Sequence, residues 1–178
     1  MYACVKRGLD IVISAALLLA LWLPMLIVAG WIRLDSPGRA FFSQTRIGLQ
    51  GKPFTMYKFR TMYLGEQRVT RAGKWLRGCV DELPQLWNVL RGDMSLIGPR
   101  PVLPDEPMIW AEYTQEQREM FSVRPGITGW AQVNGRRSVP WKQRIDMNVW
   151  YAQNATLRLD AKILLMTVKT VLSGNDNE

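Results

Sequence analysis

The sequence predicts an α+β, mostly helical fold in which an apolar N-terminal helix precedes one small domain. Residues 11–32 carry no charge, and at about 1.5 Å per residue such a helix could reach across a bilayer core of roughly 30 Å. Residues 39–62 show strand-like patterns around a glycine-containing turn, which predicts one β-hairpin. Later segments repeat apolar residues at helical spacing. About 145 residues follow the apolar segment, enough for a single domain with a modest core.

The composition of the chain limits which partners and which chemistry it can use. It has 23 Lys and Arg against 15 Asp and Glu, and the charge of +8 suits a phosphate lipid, a nucleotide or a nucleic acid. Histidine is absent, so any metal must be held by oxygen ligands, and carboxylates are the natural catalytic groups. Cys4 and Cys79 are too few for a zinc site or a disulfide framework, which favours a reducing cytoplasm. Eight tryptophans fit a membrane interface.

The topology of the apolar helix is ambiguous from charge alone. Lys6 and Arg7 flank one end and Arg33 the other, so the positive-inside bias does not separate the two ends. Pro24 removes a backbone donor near the middle and bends the helix. Either the helix re-enters the leaflet in which it started, or it is an ordinary kinked span. The predicted units are a membrane helix at 1–34, a cytoplasmic domain at 35–172 and a polar tail at 173–178.

The first part of the domain is predicted to be a hairpin followed by a short helix. In the second strand, Phe54, Met56 and Lys58 share one face, because successive side chains of a strand point to opposite sides. The predicted segments are a turn at 35–38, strands at 39–47 and 53–62, a polar connector at 63–71 and a helical turn at 72–77.

The rest of the chain is predicted to be helical apart from one structured loop. The predicted helices cover residues 81–91, 107–121, 140–152 and 157–172. The predicted loop covers residues 124–136, whose three glycines and one proline argue against a regular helix. The last helix carries an apolar stripe beside Lys162 and Lys169. Such a stripe fits either an amphipathic helix lying on a membrane or plain core packing.

Two adjacent carboxylates begin the predicted helix at 81–91. Asp81 occupies the N-cap position and Glu82 the first helical position, so both acids could simply stabilise the helix start by roughly 1 kcal/mol. A second interpretation arises because a helix N-terminus offers backbone donors to an anion, and many basic residues lie in the same part of the chain. Those basic residues are Lys58, Arg60, Arg77, Arg91, Arg100, Arg124, Arg136 and Arg137.

The second interpretation of the carboxylate pair is phosphoryl chemistry. In a chain without histidine, a carboxylate is a suitable nucleophile for phosphorus, because its attack gives a reactive acyl phosphate. The other carboxylate could hold Mg2+, which binds through one or two carboxylates plus substrate phosphate. Arginines would neutralise the charge that develops on the phosphoryl oxygens.

Several motifs occur in one order along nearly the whole chain. They are Lys6-Arg7 with Asp10, Leu34 to Gly38, Phe41-Phe42, Arg46-Ile47-Gly48, Tyr57 to Met62, Asp81 to Leu86, Gly92 to Ser95, Gly98 to Pro101 and Arg124 to Trp130. In these motifs the sequence resembles the bacterial sugar transferases, which are small monotopic polyprenyl-phosphate phosphoglycosyltransferases.

The resemblance implies a half-membrane enzyme of the bacterial inner membrane. Its helix would re-enter the leaflet at Pro24, so that both helix ends and a domain with interfacial amphipathic helices face the cytoplasm. Asp81 would attack the β-phosphate of a UDP-sugar and release UMP, and polyprenyl (undecaprenyl) phosphate would take the phosphosugar to give a polyprenyl diphosphosugar. Glu82, together with Asp81, would bind Mg2+. The residues implied to contact substrate phosphate are Arg100, Arg77 and Lys58.

The resemblance also sets the expected partners and setting. The partners are a UDP-sugar, polyprenyl phosphate and inner-membrane lipid, without nucleic acid, and a homodimer is left open. The reaction would be the first membrane step in the synthesis of a bacterial glycoconjugate, such as an O-antigen, a capsule, an exopolysaccharide or a glycoprotein.

The sequence departs from the family pattern at a few positions. Cys79-Val80 stands where a Ser-Leu pair is usual, and the spacing from Arg77 to the acids is one residue shorter. The connector at residues 63–69 is short. Asn148 stands where an acid is common, and Leu23 replaces a serine before the helix-breaking proline.

Two other functions compete with the phosphoglycosyltransferase. The charge and the aromatic residues also suit a membrane-tethered nucleic-acid binder, although the sequence has no recognisable motif for one. The departures near Asp81 and at Asn148 motivate a catalytically inactive membrane scaffold of the same fold.

Overall fold

The computed structural model describes residues 2–78, 80–135 and 139–173 of the chain. Its helices are α1 (Tyr2–Asp35), α2 (Arg71–Leu76), α3 (Gln85–Arg91), α4 (Gln115–Arg118), α5 (Trp130–Asn134), α6 (Trp141–Asn154) and α7 (Leu157–Leu172). Its strands are β1 (Phe41–Ile47), β2 (Pro53–Phe59), β3 (Ser95–Ile97) and β4 (Gly126–Thr128). The mostly helical α+β class predicted from the sequence is confirmed.

Helix α1 runs without interruption through Pro24. Its length and apolar composition are sufficient to cross a membrane. The side chains of its middle part face away from the domain, and Leu19 is 80% exposed. Its buried residues, Asp10, Ser14 and Ile32, lie toward its two ends. The helix therefore contacts the domain near both ends and leaves an apolar surface between them.

The N-terminal end of α1 is attached to the domain by polar contacts. The Nζ of Lys6 lies 2.9 Å from a carboxylate oxygen of Asp160 in α7. Arg7 donates hydrogen bonds of 2.6 and 2.9 Å to the last carbonyl oxygens of α3. Asp10 accepts a hydrogen bond of 3.1 Å from the backbone N–H of Leu96 in β3. A cation at the C-terminal end of a helix also has a favourable interaction with its dipole.

The C-terminal end of α1 is attached to the same domain. Asp35 accepts a hydrogen bond of 2.9 Å from the backbone N–H of Ala72, in the first turn of α2. The chain leaving the helix is held by Arg60, which is buried and donates to the Ser36 carbonyl at 2.8 Å. Arg60, one of the basic residues of the middle region, is thus a structural residue that closes the end of α1.

Strands β1 and β2 form the predicted antiparallel hairpin, with Phe41 opposite Phe59 and Ile47 opposite Pro53. The predicted strands at 39–47 and 53–62 are too long. Strand β1 begins only at Phe41, and β2 ends at Phe59, just before the Arg60 side chain turns into the domain. Strand pairing therefore ends one residue before Arg60, whose side chain binds the segment that follows α1.

Strands β3 and β4 form a parallel pair that the sequence did not predict, with Ser95 opposite Gly126 and Ile97 opposite Thr128. The two chains approach closely, because a Cβ atom on Gly126 would lie 2.1 Å from the backbone nitrogen of Gly98. Glycine allows this approach. The pair fixes the base of the loop from Gly98 to Pro101.

Small apolar clusters connect these elements. One packs Ile32 of α1 against Phe59 of β2 and Leu76 of α2. Another packs Ile97 of β3 against Tyr151 of α6. The hairpin and the β3 loop are therefore each fixed to a helix by buried apolar contacts.

The predicted helix at 107–121 is wrong, because this segment is broken into three short pieces. They are a 3-10 turn at Trp110–Glu112, helix α4 and a 3-10 turn at Glu119–Phe121. Thr114 accepts a hydrogen bond from the backbone N–H of Gln117 at 3.2 Å, and the Gln117 side chain accepts from the N–H of Thr114 at 3.0 Å. This capping box starts a new helix in the middle of the segment.

The predicted loop at 124–136 is also partly wrong. It contains β4 and the five-residue helix α5, which begins immediately after Gly129. The glycines lie at the ends of these elements, where they permit close contact, and not inside α5. Arg136 lies outside the described residues.

Helices α2, α6 and α7 confirm the predicted helices at 72–77, 140–152 and 157–172 to within about two residues. The apolar stripe of α7 faces outward, and the core-packing interpretation is therefore wrong. Asp160 and Ile163 are instead the buried residues of this helix. The exposed stripe consists of Leu157, Ala161, Leu164, Val168 and Val171.

Arg60→Met should destabilise the domain by about 1–3 kcal/mol, because it leaves the carbonyl groups that follow α1 buried without donors. Chemical unfolding of the detergent-solubilised protein measures the effect. Arg68→Met is the matched control, since Arg68 is an exposed arginine that contacts only Glu66 and the ring of Tyr63 among the described side chains, and its removal should change stability by less than about 1 kcal/mol. Equal losses for the two variants would contradict the structural role of Arg60.

Candidate active site

The paired carboxylates lie in a 3-10 turn, Val80–Glu82, and not at the start of a regular helix. Helix α3 begins at Gln85, and Pro84 is its N-cap residue, without a side-chain cap. The predicted helix start at Asp81, and its N-cap role, are therefore wrong. The ring of Pro84 disfavours helical backbone at the residue before it, so the regular helix starts only after the proline. Cys79 lies outside the described residues.

One carboxylate oxygen of Asp81 is unsatisfied within the described part of the chain. Its Oδ1 atom is buried and has no hydrogen-bond partner among the described residues. Burial raises the pKa of the Asp81 carboxyl above its usual range. Lys58 lowers this pKa, the neighbouring Glu82 raises it, and backbone hydrogen bonds from Gly78 and Asp81 lower it. Buried polar atoms are normally satisfied, so an orphaned carboxylate oxygen is typical of a functional site.

Glu82 is paired with Lys58, whose ammonium group donates directly to Oε1 of the carboxylate. Lys58 lies on β2, opposite Phe42 of β1. Both side chains are only partly buried, so the pair remains accessible from solvent. The hairpin thus brings a cation to the carboxylate pair from a distant part of the sequence.

Glu82 and Lys58 line a cleft together with Arg100. Arg100 reaches it from the loop that follows β3. Three of the predicted site residues therefore line one cleft. Asp81 does not line it, but it directly precedes Glu82 in the chain. The complete lining is Arg46, Met56, Lys58, Glu82, Gln85, Arg100, Pro101, Gly126 and Ile127.

Arg77 does not line this cleft. It is exposed, it follows α2 as its C-cap residue, and its Nε lies 3.5 Å from the hydroxyl of Thr61. A hydrogen bond of that length is weak. A phosphate-binding role for Arg77 stays a prediction from the resemblance, without a position in the cleft to support it.

Two further basic residues have structural contacts. Arg91 is exposed and lies 3.6 Å from the carboxylate of Asp93. Arg124 donates a hydrogen bond of 2.8 Å to the carbonyl of Gly92 and so holds the end of α3. Arg136 and Arg137 lie outside the described residues.

The sequence-based prediction missed Arg46 as a site residue. Arg46 is on β1, opposite Phe54 of β2, and residues directly opposite in an antiparallel pair share a face. The face of Phe54 is also that of Lys58. The alternation of the second strand, combined with the hairpin register, was the signal that could have placed Arg46 on the same face of the hairpin as Lys58.

The carboxylate pair fits a Mg2+ ion. Within the described residues, no group of three or more Asp, Glu, Cys or His side chains could hold a metal, so Asp81 and Glu82 would supply two carboxylates at most. Mg2+ is commonly bound by one or two carboxylates together with waters and substrate phosphates. The orphaned Oδ1 of Asp81 is a ligand of the required kind.

Comparison with known proteins identifies the family. The model of the family described as "Bacterial sugar transferase" matches residues 1–174. The chain therefore belongs to the bacterial sugar transferase family, and the resemblance inferred from its motifs is confirmed.

Individual relatives align along almost the whole chain. The "Uncharacterized sugar transferase EpsL" of Bacillus subtilis is 44% identical, over 94% of this chain and 87% of that protein. The "UDP-glucose:undecaprenyl-phosphate glucose-1-phosphate transferase" of Caulobacter vibrioides is 45% identical, over 96% of this chain and 71% of that protein. The "UDP-N-acetylgalactosamine-undecaprenyl-phosphate N-acetylgalactosaminephosphotransferase" of Aeromonas hydrophila is 39% identical, over 97% of this chain but only 45% of that longer protein.

The structure shows the contacts made at two of the departures from the family pattern, Asn148 and the short connector. Asn148 is buried, and its Oδ1 has no hydrogen-bond partner among the described residues. Tyr151, three residues later, donates to Asp160 at 2.6 Å and so connects α6 to α7. In the short connector, the backbone N–H of Tyr63 donates to the carbonyl of Arg68 at 3.0 Å, which closes a tight exposed turn.

Asp81→Asn should raise the unfolding temperature in EDTA by about 2 °C or more at pH 8. The folded protein holds the Asp81 proton more tightly than the unfolded chain, because burial raises its pKa. As pH rises through that raised pKa, the wild type gains a buried charge and loses stability, whereas the amide does not. The difference should shrink toward pH 4, as followed by thermal unfolding at a series of pH values.

The matched control is Asp105→Asn, which removes an exposed carboxylate and should change the unfolding temperature little at either pH. A less stable Asp81→Asn variant at pH 8 would mean that the Asp81 carboxylate is satisfied in the folded state, against the orphaned geometry.

Proposed function

We propose that the protein transfers a phosphosugar from a UDP-sugar to undecaprenyl phosphate, giving undecaprenyl diphosphosugar and UMP. The observation that carries the proposal is the adjacent pair Asp81 and Glu82, of which Glu82 lines one cleft together with Lys58 and Arg100. The proposal is supported by the Caulobacter and Aeromonas relatives, whose names specify a UDP-sugar donor and undecaprenyl phosphate. It extends their chemistry to this chain through the shared family.

In the first step, a carboxylate oxygen of Asp81 attacks the β-phosphorus of the UDP-sugar. The new bond is a carboxyl–phosphate bond, and the bond that breaks joins the β-phosphorus to the bridging oxygen. That oxygen leaves with the α-phosphate as UMP. Asp81 must be ionised to attack, and the opposing charge of Lys58 favours that form.

In the second step, a phosphate oxygen of the lipid attacks the same phosphorus. The Asp81–phosphorus bond breaks, the carboxylate is regenerated, and the phosphosugar leaves on the lipid as a diphosphate. No oxidant, reductant or water is consumed, so the two steps balance. An acyl phosphate is reactive enough to make the second transfer feasible.

Other side chains of the cleft would bind and neutralise the phosphates. Arg100 has no competing ion pair among the residues described, so it is available to a phosphoryl group. Glu82 and Asp81 would hold Mg2+, which when bound supplies positive charge to the phosphoryl oxygens. Lys58 would move from Glu82 to a substrate phosphate when the metal takes that carboxylate.

The proposal includes a monotopic arrangement at the cytoplasmic face of the inner membrane. Both ends of α1 contact one domain, through Asp10 at one end and Asp35 at the other. A straight span would carry one end about 30 Å away from that domain. Re-entry near Pro24 keeps the exposed apolar middle in lipid and both polar ends at the surface, and the outward stripe of α7 would lie on the same surface.

A catalytically inactive relative is the second candidate. The buried, unpartnered Asn148 favours it, because the family commonly has an acid there. An inactive protein would keep the fold and the membrane helix and would bind without turning over. The same assay separates the two candidates.

The purified full chain with Mg2+ and undecaprenyl phosphate should release UMP from at least one of UDP-glucose, UDP-galactose and UDP-N-acetylgalactosamine. When the lipid is left out, mass spectrometry should find a phosphosugar on the peptide that contains Asp81. Asp81→Asn should lower turnover by about 10³-fold or more, because it removes the nucleophile, and Glu82→Gln should cause a similarly large loss.

Glu66→Gln is the control for these variants, since it changes an exposed carboxylate of the connector and should retain full turnover. Full turnover by Asp81→Asn would refute the assignment of Asp81 as the nucleophile. A wild type that releases no UMP from any of the three donors would favour the inactive relative.

The topology can be tested with the natural Cys4, which is exposed at the start of α1. In a Cys79→Ser background carrying an added cysteine at the exposed Ser43, a membrane-impermeant thiol reagent should label both sites from the cytoplasmic side of the vesicle. Labelling of the two cysteines from opposite sides would establish a full span and refute re-entry.

A further inference from the structure

Two guanidinium groups in the cleft lack an anionic partner. Arg46 donates to the side-chain oxygen of Gln44 at 2.7 Å and, at the long distance of 3.4 Å, to the carbonyl of Pro101. Its Nε atom is buried with no hydrogen-bond partner among the described residues. Arg100, next to Pro101, has neither a hydrogen bond nor an ion pair within the same described set. The other cleft cation, Lys58, is already paired with Glu82.

The two arginines are close enough to repel each other. Burial lowers the pKa of Arg46 and the charge of Arg100 lowers it further, whereas Glu106 and Glu82 act in the opposite direction. Two like charges held near each other without a neutralising contact are unfavourable. A dianion placed between them would offset both the repulsion and the loss of hydration.

The hairpin register separates Arg46 from the nucleophile end of the cleft. Lys58 stands opposite Phe42, whereas Arg46 stands opposite Phe54. Arg46 lies four positions after Phe42, which corresponds to about 14 Å along the strand. Lys58 and Glu82 therefore lie at the end of the cleft near Asp81, and Arg46 and Arg100 lie toward the other end.

We propose that Arg46 and Arg100 together clamp the α-phosphate of the nucleotide, the group that leaves as UMP. The inference rests on the proposed function and adds Arg46 as a substrate-binding residue. When the bond from the β-phosphorus to the bridging oxygen breaks, that oxygen stays with the α-phosphate and takes on negative charge. A planar guanidinium can meet two phosphate oxygens at once, so the clamp strengthens as the charge develops.

The inference makes a prediction for UMP binding, measured by calorimetry on the full chain in detergent. Arg46→Met should weaken UMP binding by about 10-fold or more, because a charge-assisted bidentate contact is lost. The UMP affinity of Arg46→Lys should be intermediate, since lysine keeps the charge but cannot make the bidentate contact of a guanidinium. In turnover assays both variants should lower kcat and also raise the UMP concentration needed for product inhibition.

Arg68→Met serves as the matched control, because it removes an exposed arginine outside the cleft and should bind UMP as the wild type does. Arg46 could alternatively be a purely structural tie between β1 and Pro101. Arg46→Lys, which retains the stem and a donor, would then bind UMP like the wild type, and that result would overturn the clamp, as would unchanged UMP affinity in Arg46→Met.

The failure of the clamp can be told apart from the failure of the proposed function. A wild type that turns over UDP-sugars, alongside Arg46 variants of unchanged UMP affinity and kcat, removes only the clamp. A wild type that neither binds UMP nor releases it removes the transferase activity on which the clamp rests.

Discussion

The attachment of α1 at both of its ends is the constraint on which the rest of the structure depends. Asp35 holds the first turn of α2, and Arg7 holds the last carbonyls of α3. The turn with Asp81 and Glu82 connects those two helices. The carboxylate pair therefore lies between two helices, α2 and α3, that both contact α1. In the monotopic arrangement proposed above, this attachment would keep Asp81 close to the membrane surface.

The charges of the cleft are only partly neutralised by one another. Lys58 and Glu82 compensate each other, but Asp81 has an unsatisfied oxygen and Arg46 an unsatisfied donor. Complete internal pairing would stabilise the fold and leave nothing for a substrate to bind, since each new contact would have to displace an old one. The uneven pairing leaves one carboxylate oxygen and one guanidinium donor unsatisfied among the described residues, which supports the Mg2+ ion and the nucleotide phosphate proposed above.

Much of the fold was predictable because its signals are local. The long apolar helix follows from an uncharged run of residues, and the hairpin and α7 follow from periodicity within one segment. The break at Thr114 was not predicted, because a capping box can interrupt an otherwise continuous helical pattern. The β3–β4 pair was missed because parallel pairing joins distant segments that carry no alternation of their own.

In the candidate site, too, features within one segment were predicted from the sequence, whereas contacts between distant segments were not. The adjacency of Asp81 and Glu82 is visible in the sequence itself, and the family resemblance located Arg100 through the separate motif Gly98 to Pro101. The pairing of Lys58 with Glu82 and the position of Arg46 depend on the hairpin register and its docking. The carboxylate's supposed capping role failed because Pro84 delays the helix, an effect of one residue on backbone geometry.

The contact between Gly98 and Gly126 joins two loops into one steric unit. A Cβ on Gly98 would lie 2.3 Å from the carbonyl oxygen of Arg124, so neither chain can accept a side chain at the crossing. The close approach of the two backbones therefore fixes the position from which Arg100 enters the cleft. The loop that presents this guanidinium and the loop whose Arg124 holds the end of α3 therefore move together, since a side chain at either glycine would displace both.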